Sequence, residues 1–296
     1  MSDVVQRGAQ RFVQAEVVQP SEVEDVASGP ALMAQPVRDE AVDIAAIGTT
    51  AARAVRGELL AQAVAAEGFT LGTTEPRADP DELFEDMSWQ LGVVLSPWKL
   101  EIGDRCAALA PSARATGVVD TVLRTSIGAV GFNTNTWAAM SALETVAGGA
   151  VPGRVLFLGA GASARSVALA VSRAWPSSEI VIAARSRGAA EALAAMYGGQ
   201  LFGDVAHGEA GSPGWDVVVN TTTWGETEES EAEPMDIDLE GVFTPGGRLF
   251  DLNNRIGALQ HQALAAGCAV VSGGVMQRVT NASRAALLAY AGRVAG

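Results

Sequence analysis

Aromatic residues make up only 5% of the 296 residues, so a packed interior must be built mainly from aliphatic side chains and alanine. There are two cysteines, Cys106 and Cys268, far apart and without a CxxC neighbour. That excludes a disulfide framework and a cysteine zinc site, and it fits a reducing, cytoplasmic setting. His207 and His261 are the only histidines, which excludes a multi-histidine metal centre and argues against a histidine-based triad, so no metal is expected. Basic residues are outnumbered, with Lys+Arg 20 against Asp+Glu 34 and a net charge of -14. Neutralising phosphates needs clustered Lys and Arg, and no such stripe is present, so nucleic acid is not an expected partner. Nor does any apolar run reach the roughly 18 residues of a membrane helix.

What is present is a globular composition, 48% hydrophobic and 18% charged, enough for a real core. The length suits about two domains on the rough guide of 150 residues each. The first thirty residues, MSDVVQRGAQRFVQAEVVQPSEVEDVASGP, lack the basic-then-apolar order of a signal peptide. Residues 1–38 read as an extension that is loose or docked late, with a docked helix over residues 3–18 as the competing view.

From residue 42 the pattern alternates. VDIAAIG (42–48) reads as a strand, and 51–68 as a helix with apolar Ala51, Val55, Leu59 and Ala63. FTLGTTE (69–75) reads as a strand, DPDELFEDM (79–87) as a capped helix and LGVVLS (91–96) as a strand closed by Pro97. A further helix is expected to carry Lys99 near its start. This alternation predicts a parallel sheet. GGAVPG (148–153) is the clearest compositional boundary. After it come five buried-strand candidates in RVLFL, EIVIAA, DVVVN, GRLFDLN and CAVVSGG, the form of a doubly wound nucleotide-binding domain. Residues 226–240 hold eight carboxylates, Glu226, Glu228, Glu229, Glu231, Glu233, Asp236, Asp238 and Glu240. They lack the ligand spacing and turn glycine of a calcium loop and read as a solvated acidic loop.

The most specific local signal is Gly159-Ala160-Gly161-Ala162-Ser163-Ala164, directly after the strand VLFL. Gly159 permits a tight turn, Gly161 lets backbone N–H groups approach a pyrophosphate, and small Ala164 packs helix on strand. The helix expected over 162–174 then points partial positive charge at the phosphates. Strand, loop, helix and second strand in that order make the signal strong. The second strand, EIVIAA, ends at residue 184 and is followed by Arg185, Ser186 and Arg187, where an NAD site would place a carboxylate for the ribose. Guanidinium groups suit a 2′-phosphate, so the expected cofactor is NADP(H). Surface arginines are the alternative.

Several ordered motifs, taken together, carry a family likeness. VVLSPWK (93–99), TGVVDTVLR (116–124), GFNTNTW (131–137), LGAGASARSVALA (158–170), NTTTWGE (220–226), FDLNN (250–254) and GGVMQRVTNA (273–282) together resemble the shikimate dehydrogenase family over residues 42–290. The resemblance implies an α/β protein of two domains. One is an N-terminal α/β substrate domain with a mostly parallel sheet, over 39–138 plus the C-terminal helix at about 277–296. The other, over 139–276, is a Rossmann-type doubly wound NADP-binding domain. It also implies a cleft between the domains and interconversion of a ring alcohol and its ketone.

Carried over position by position, Lys99 matches the family's catalytic lysine. Asn135 stands where the family has the Asp of an NTDG motif, and Asp120 stands where it has the Asn of GAVNT, so carboxylate and amide have exchanged places. An amide cannot titrate. The expectation is that Lys99 acts as general acid/base, Asp120 polarises and positions it, and Asn135 orients the substrate. A surface lysine and a strand-end carboxylate are the alternative. The family's two substrate-binding serines fall on Ala54 and Arg56, and its threonine four before the lysine falls on Leu95. Its tyrosine after FDL falls on Asn254 and its late Gln near Thr280, so shikimate itself is not the expected substrate. Arg53, Arg56, Ser96, Asn254, Arg255 and Thr280 are the substrate-binding candidates, the arginines for an anionic group. Asn220, Thr221 and Thr222 sit at a strand end where open sheets bind ligands, and Trp224 either packs on the cofactor or fills a loop. Gly273 and Met276 match the family segment passing the nicotinamide.

The expected activity is therefore an NADP-dependent dehydrogenase or reductase acting on a small molecule, as monomer or homodimer. Two other readings share the scaffold: a folate dehydrogenase-like enzyme, and a non-catalytic NADP(H) sensor or regulator.

Overall fold

The computed structural model describes residues 41–86, 88–205, 214–233, 237, 239 and 241–294, with side chains to 289 in the last helix. The expected N-terminal extension, and Asp236, Asp238 and Glu240 of the acidic stretch, lie outside the described residues. The chain divides into two compact units. One comprises residues up to Ala138 plus Arg278 onward, the other Ala139–Gln277. The cuts fall inside two helices rather than at the glycine-rich stretch 148–153.

The first unit opens with β1 (Ala41–Ile47), then helices α1 (Ala51–Val55) and α2 (Glu58–Ala66). The single helix expected over 51–68 is thus broken at Arg56-Gly57. The break advances the buried phase by one residue, so Leu60 and Val64 are buried beside Ala51 and Val55, while Ala63 packs at the edge of that core. β2 (Thr70–Pro76) and α3 (Pro80–Glu85) follow. Pro80 occupies the helix start and Asp79 accepts from Glu82 N–H, a sequence-legible cap. β3 (Leu91–Val94) is entirely buried and leads to two short 3₁₀ segments, Trp98–Leu100 and Ile102–Arg105, rather than the helix expected around Lys99. After β4 (Ala108–Leu109) and α4 (Pro111–Thr116) come β5 (Thr121–Thr125) and β6 (Gly128–Phe132).

The six strands order as β2-β1-β3-β5-β6-β4. β1, β2 and β3 run parallel, and β4 joins β6 in parallel. β5, however, is antiparallel to both β3 and β6. The sheet is thus mostly parallel, as expected, with β5 running against the others. Only Ser126 and Ile127 separate β5 from β6, and so short a link can only join antiparallel strands. α5 (Thr134–Ala147) starts at the end of β6. The last helix, α10 (Gly273–Val294), returns Ala285, Leu287 and Leu288 to a core shared with Val42, Leu91, Val93 and Trp137.

The second unit is a doubly wound sheet. Its strands are β7 (Arg154–Leu158), β8 (Glu179–Ala183), β9 (Gln200–Leu201), β10 (Val217–Asn220), β11 (Arg248–Asp251) and β12 (Ala269–Ser272). They order as β12-β11-β10-β7-β8-β9 with every pair parallel. The connecting helices are α6 (Ala162–Ala174), α7 (Arg187–Tyr197), α8 (Glu228–Ala232) and α9 (Ala258–Ala265). The strand order reverses between β7 and β10, and ligands of such sheets bind beyond the strand ends at that point.

Candidate functional site

The expected catalytic residues all lie in the first unit and all are buried, Lys99 at 8% exposure, Asp120 at 0% and Asn135 at 8%. Backbone bonds tie their elements together. Val119 N–H donates to the Lys99 carbonyl (2.9 Å) and Val94 N–H to the Asp120 carbonyl (2.9 Å).

Asp120 has a definite set of partners. Oδ1 accepts from the hydroxyls of Thr121 (2.7 Å) and Thr134 (2.5 Å) and from Thr134 N–H (3.1 Å). Oδ2 accepts from Asn135 N–H (2.7 Å). The carboxylate therefore caps α5 from the neighbouring strand, where orphan N–H groups and the helix dipole favour an anion. Asn133 adds a local cap, accepting from Thr136 N–H (3.2 Å). The same contact with Asp120 fixes Asn135, whose Oδ1 accepts from the Thr280 hydroxyl (3.3 Å) across 145 residues of sequence. Asp120, Asn135 and Thr280 are thus brought together.

Arg284, not singled out from the sequence, closes this network. Its Nε donates to Thr121 Oγ1 (3.0 Å), its Nη2 to the Asp120 carbonyl (3.3 Å) and its Nη1 to Asn281 Oδ1 (3.1 Å). Thr121 relays between the guanidinium and the Asp120 carboxylate. Burial pushes the Arg284 pKa down, and the Asp120 charge opposes that shift. A sequence signal for Lys99 was also overlooked. The chain has nineteen arginines and one lysine, which is Lys99.

The remaining substrate candidates are dispersed. Arg53 lies in the last turn of α1 and Arg56 at its C-terminal cap, both exposed. Ser96 is exposed, and its carbonyl accepts from Thr49 N–H (3.0 Å). Asn254, in the second unit, donates from Nδ2 to Gln277 Oε1 (3.1 Å). Arg255 is engaged within its own unit, its Nη1 lying 2.5 Å from Glu231 Oε2. That contact docks one member of the acidic stretch, while Glu226, Glu228, Glu229 and Glu233 are exposed, as in a solvated loop. Glu231 also accepts from Ala258 N–H at the start of α9, and those two contacts, the backbone one foremost, hold its pKa below the ordinary carboxylate value.

Some of the cofactor candidates in the second unit line a cavity of about 360 Å³. Gly159, Gly161, Arg185, Ser186, Thr221, Thr222 and Trp224 line it, and so do Ser230 and Glu233 of the acidic segment. The two loop glycines differ. Gly159 has φ +102°, and a Cβ there would lie 2.7 Å from Thr221 Oγ1. Gly161 has φ −82°, and nothing lies within 4 Å of a Cβ placed on it. The fold does not need that glycine, but a pyrophosphate approaching the N-terminus of the 13-residue α6 does. The residues present fit a dinucleotide. Ala162 and Ser163 form the first turn of α6, and Ala164 is fully buried beneath it.

Arg185 is exposed on the cavity rim, whereas Arg187 Nε donates to Glu191 Oε1 (2.8 Å) on its own helix, so the arginine pair contributes one residue. Ser186 caps α7 through Ala189 N–H (3.3 Å). Asn220 is buried, and its Oδ1 accepts from Thr222 N–H (3.1 Å) and hydroxyl (2.7 Å) while its Nδ2 donates to Asp251 (3.0 Å). It shapes the cavity wall rather than lining it. Asp251, also missed in the sequence, has its pKa pushed up by burial against hydrogen bonds from Gln260, Asn253 and Asn220. Gly273 is required internally, since a Cβ would collide with the Leu252 carbonyl, and Met276 is buried at 7% exposure. Among the described residues no cluster of His, Cys, Asp and Glu could hold a metal ion, and no helix is long and apolar enough to cross a membrane.

Taken by its second unit, the chain has the form of a dinucleotide-binding α/β protein. No family model matches it. It is 39% identical over 138 residues to the shikimate dehydrogenase (NADP(+)) of Anaeromyxobacter sp. strain K, covering 45% of this chain and 49% of that one. The Moorella thermoacetica shikimate dehydrogenase (NADP(+)) is 30% identical over 190 residues, covering 61% of this chain and 63% of its own. The chain thus spans about half to two thirds of the length of the curated relatives it matches. A crystal structure of shikimate dehydrogenase in complex with NADP+ shares the fold with a TM-score of 0.70 at 21% identity, covering 88% of this chain and 93% of the other. The chain is thus similar in sequence to shikimate dehydrogenases over about half of its length and shares their fold.

Proposed function

We propose that this protein is an NADP(H)-dependent oxidoreductase of the shikimate dehydrogenase type. It exchanges hydride between the nicotinamide and the carbonyl or alcohol carbon of a small, anionic metabolite other than shikimate. One observation carries the reading: the single lysine in 296 residues is buried at 8% exposure, at the position matching the family's catalytic lysine. Arginine fills every other cationic position in the chain, and arginine does not release a proton near neutral pH, whereas lysine can.

The dinucleotide, when bound, supplies the hydride. Gly161 and the start of α6 hold its pyrophosphate, Arg185 and Ser186 its 2′-phosphate, and Thr221 and Thr222 form a wall. Lys99 holds at Nζ the proton that passes to or from the substrate oxygen. Asp120 fixes the turn that presents Asn135, whose amide orients the substrate. The change of substrate is supported by Ala54, Arg56 and Leu95 at positions where the family has two serines and a threonine. Arg53 and Arg56 are the cations available for an anionic substituent.

The test is Lys99→Arg beside Lys99→Ala, assayed by NADPH consumption against a panel of ring and open-chain keto acids that includes the shikimate ketone. Both variants should lose about 10²- to 10⁴-fold in kcat, with NADP+ affinity unchanged. Normal turnover by Lys99→Arg would sink the assignment.

Asn135 in place of a carboxylate favours a second reading, a non-catalytic NADP(H) sensor. It predicts tight NADP(H) binding with no turnover of any member of the panel.

A further inference from the structure

The acidic segment after β10 is docked. Thr227 caps α8, accepting from Ser230 N–H (3.1 Å), while the Ser230 hydroxyl accepts from Thr227 N–H (3.0 Å). Glu231 then bridges Arg255 and Ala258 N–H. Arg255 also reaches the Gly225 carbonyl (3.5 Å), and the Trp224 indole N–H donates to the Glu233 carbonyl (2.8 Å). These contacts fasten the segment to the loop that follows β10 and to the start of α9. The result brings Glu233 into the lining of the cavity that also contains Arg185.

The cavity therefore carries one cationic and one anionic side chain, both exposed. Gly159 and Gly161 place the phosphates of a dinucleotide in this cavity, and the proposal rests on that reading. NADP+ and NAD+ differ by a phosphate of about two negative charges at neutral pH. A carboxylate within a few ångströms of the site acts on that difference, and an arginine acts on it with the opposite sign. We propose that the Glu231–Arg255 ion pair is a latch that holds the acidic segment as a wall of the cofactor cavity, and that Glu233 on this wall sets coenzyme preference against Arg185. Glu233 is the specificity-determining residue, and Glu231 and Arg255 are positioning residues acting through it.

The experiment is calorimetric titration of the full chain with NADP+ and, separately, NAD+. Glu233→Gln leaves the carbonyl that Trp224 holds and removes only the charge. It should tighten NADP+ about threefold at low salt, with NAD+ nearly unchanged and the gain fading as salt is raised. Arg185→Ala should act in the opposite direction, weakening NADP+ more than NAD+. The latch is tested by a cycle. In an Arg255→Ala background, Glu233→Gln should lose most of its effect, because the segment no longer holds Glu233 at the cavity. Glu231→Gln serves the same purpose if Arg255→Ala does not fold. An unlatched wall that merely destabilised the unit would weaken both coenzymes and leave the Glu233→Gln effect intact. Equal shifts for both coenzymes, no shift, or a Glu233→Gln effect that survives unlatching would overturn the proposal. If the unmutated protein binds neither coenzyme, the cofactor reading itself fails, which is a different result.

Discussion

Lys99, Asp120, Asn135 and Arg284 are each at most 8% exposed, whereas Arg185, Ser186 and Glu233 stand exposed around an open cavity. The two regions use charge differently. In the buried cluster the charges have lost their water, so they need fixed partners, and removing one leaves another stranded. In the cofactor cavity the charges remain solvated, so they tune a ligand's affinity and leave stability nearly alone. Substitutions in the first region should therefore report on folding, and those in the second on binding.

The largest effect should come from the buried network. Arg284→Met strands Asp120, and Asp120→Asn strands Arg284, so each should lower unfolding stability by about 3–5 kcal/mol. The double variant should lose clearly less than the sum, because neither charge is then left unpaired. Urea unfolding at neutral pH measures all three, and additive losses would show that the Thr121 relay does not couple them. By contrast, Arg185→Ala should change stability by no more than about 0.5 kcal/mol.

A pair of glycines sharpens the contrast within one loop. Gly159→Ala forces an alanine into φ +102° against Thr221 and should cost about 1–3 kcal/mol of stability. Gly161→Ala meets no protein atom and should fold normally, but it should weaken NADP+ about tenfold by filling the space for the pyrophosphate. Melting temperature and coenzyme titration on the same samples separate the two. A destabilised Gly161→Ala would remove the argument that this space belongs to a ligand.

The smallest effect is a pH dependence. Glu231 is held below its ordinary pKa by Ala258 N–H and Arg255. Its contribution is therefore present above about pH 4.3 and is lost as pH falls through the lower folded-state value. The stability gap between the unmutated protein and Glu231→Gln should close on acidification in that range. Asp251 has the opposite sign. Burial raises its pKa, so the native state keeps its proton longer and the group opposes folding increasingly as pH rises above about 3.9. A gap for Glu231→Gln that widens in acid would contradict the assigned contacts.

The second unit was largely legible because its signals are local. Helix 162–174 and the strands around it are written in contiguous residues whose glycines, small side chains and apolar runs act on their own neighbours. The docking of Glu231 in the acidic segment was not legible. It looks like one more solvated carboxylate until Arg255 and Ala258 arrive from 24 and 27 residues away. The β5–β6 hairpin was missed because its link, Ser126-Ile127, carries no Asn-Gly turn signal. Arg284 was invisible because its partner Thr121 is 163 residues distant. The solitary lysine, in contrast, was there to be counted.

By itself, the order of residues determined which chemical groups this protein owns: one lysine among nineteen arginines, an amide and a carboxylate in exchanged positions, and a glycine loop between strand and helix. Those are matters of covalent identity and of contacts a few residues long. Only the tertiary structure decided that Asp120 caps α5 and is balanced by Arg284, and that Glu231 fastens an acidic segment beside the coenzyme cavity. A charge acquires its role from the partners that replace its water, and the partners of these charges are brought near only by the fold.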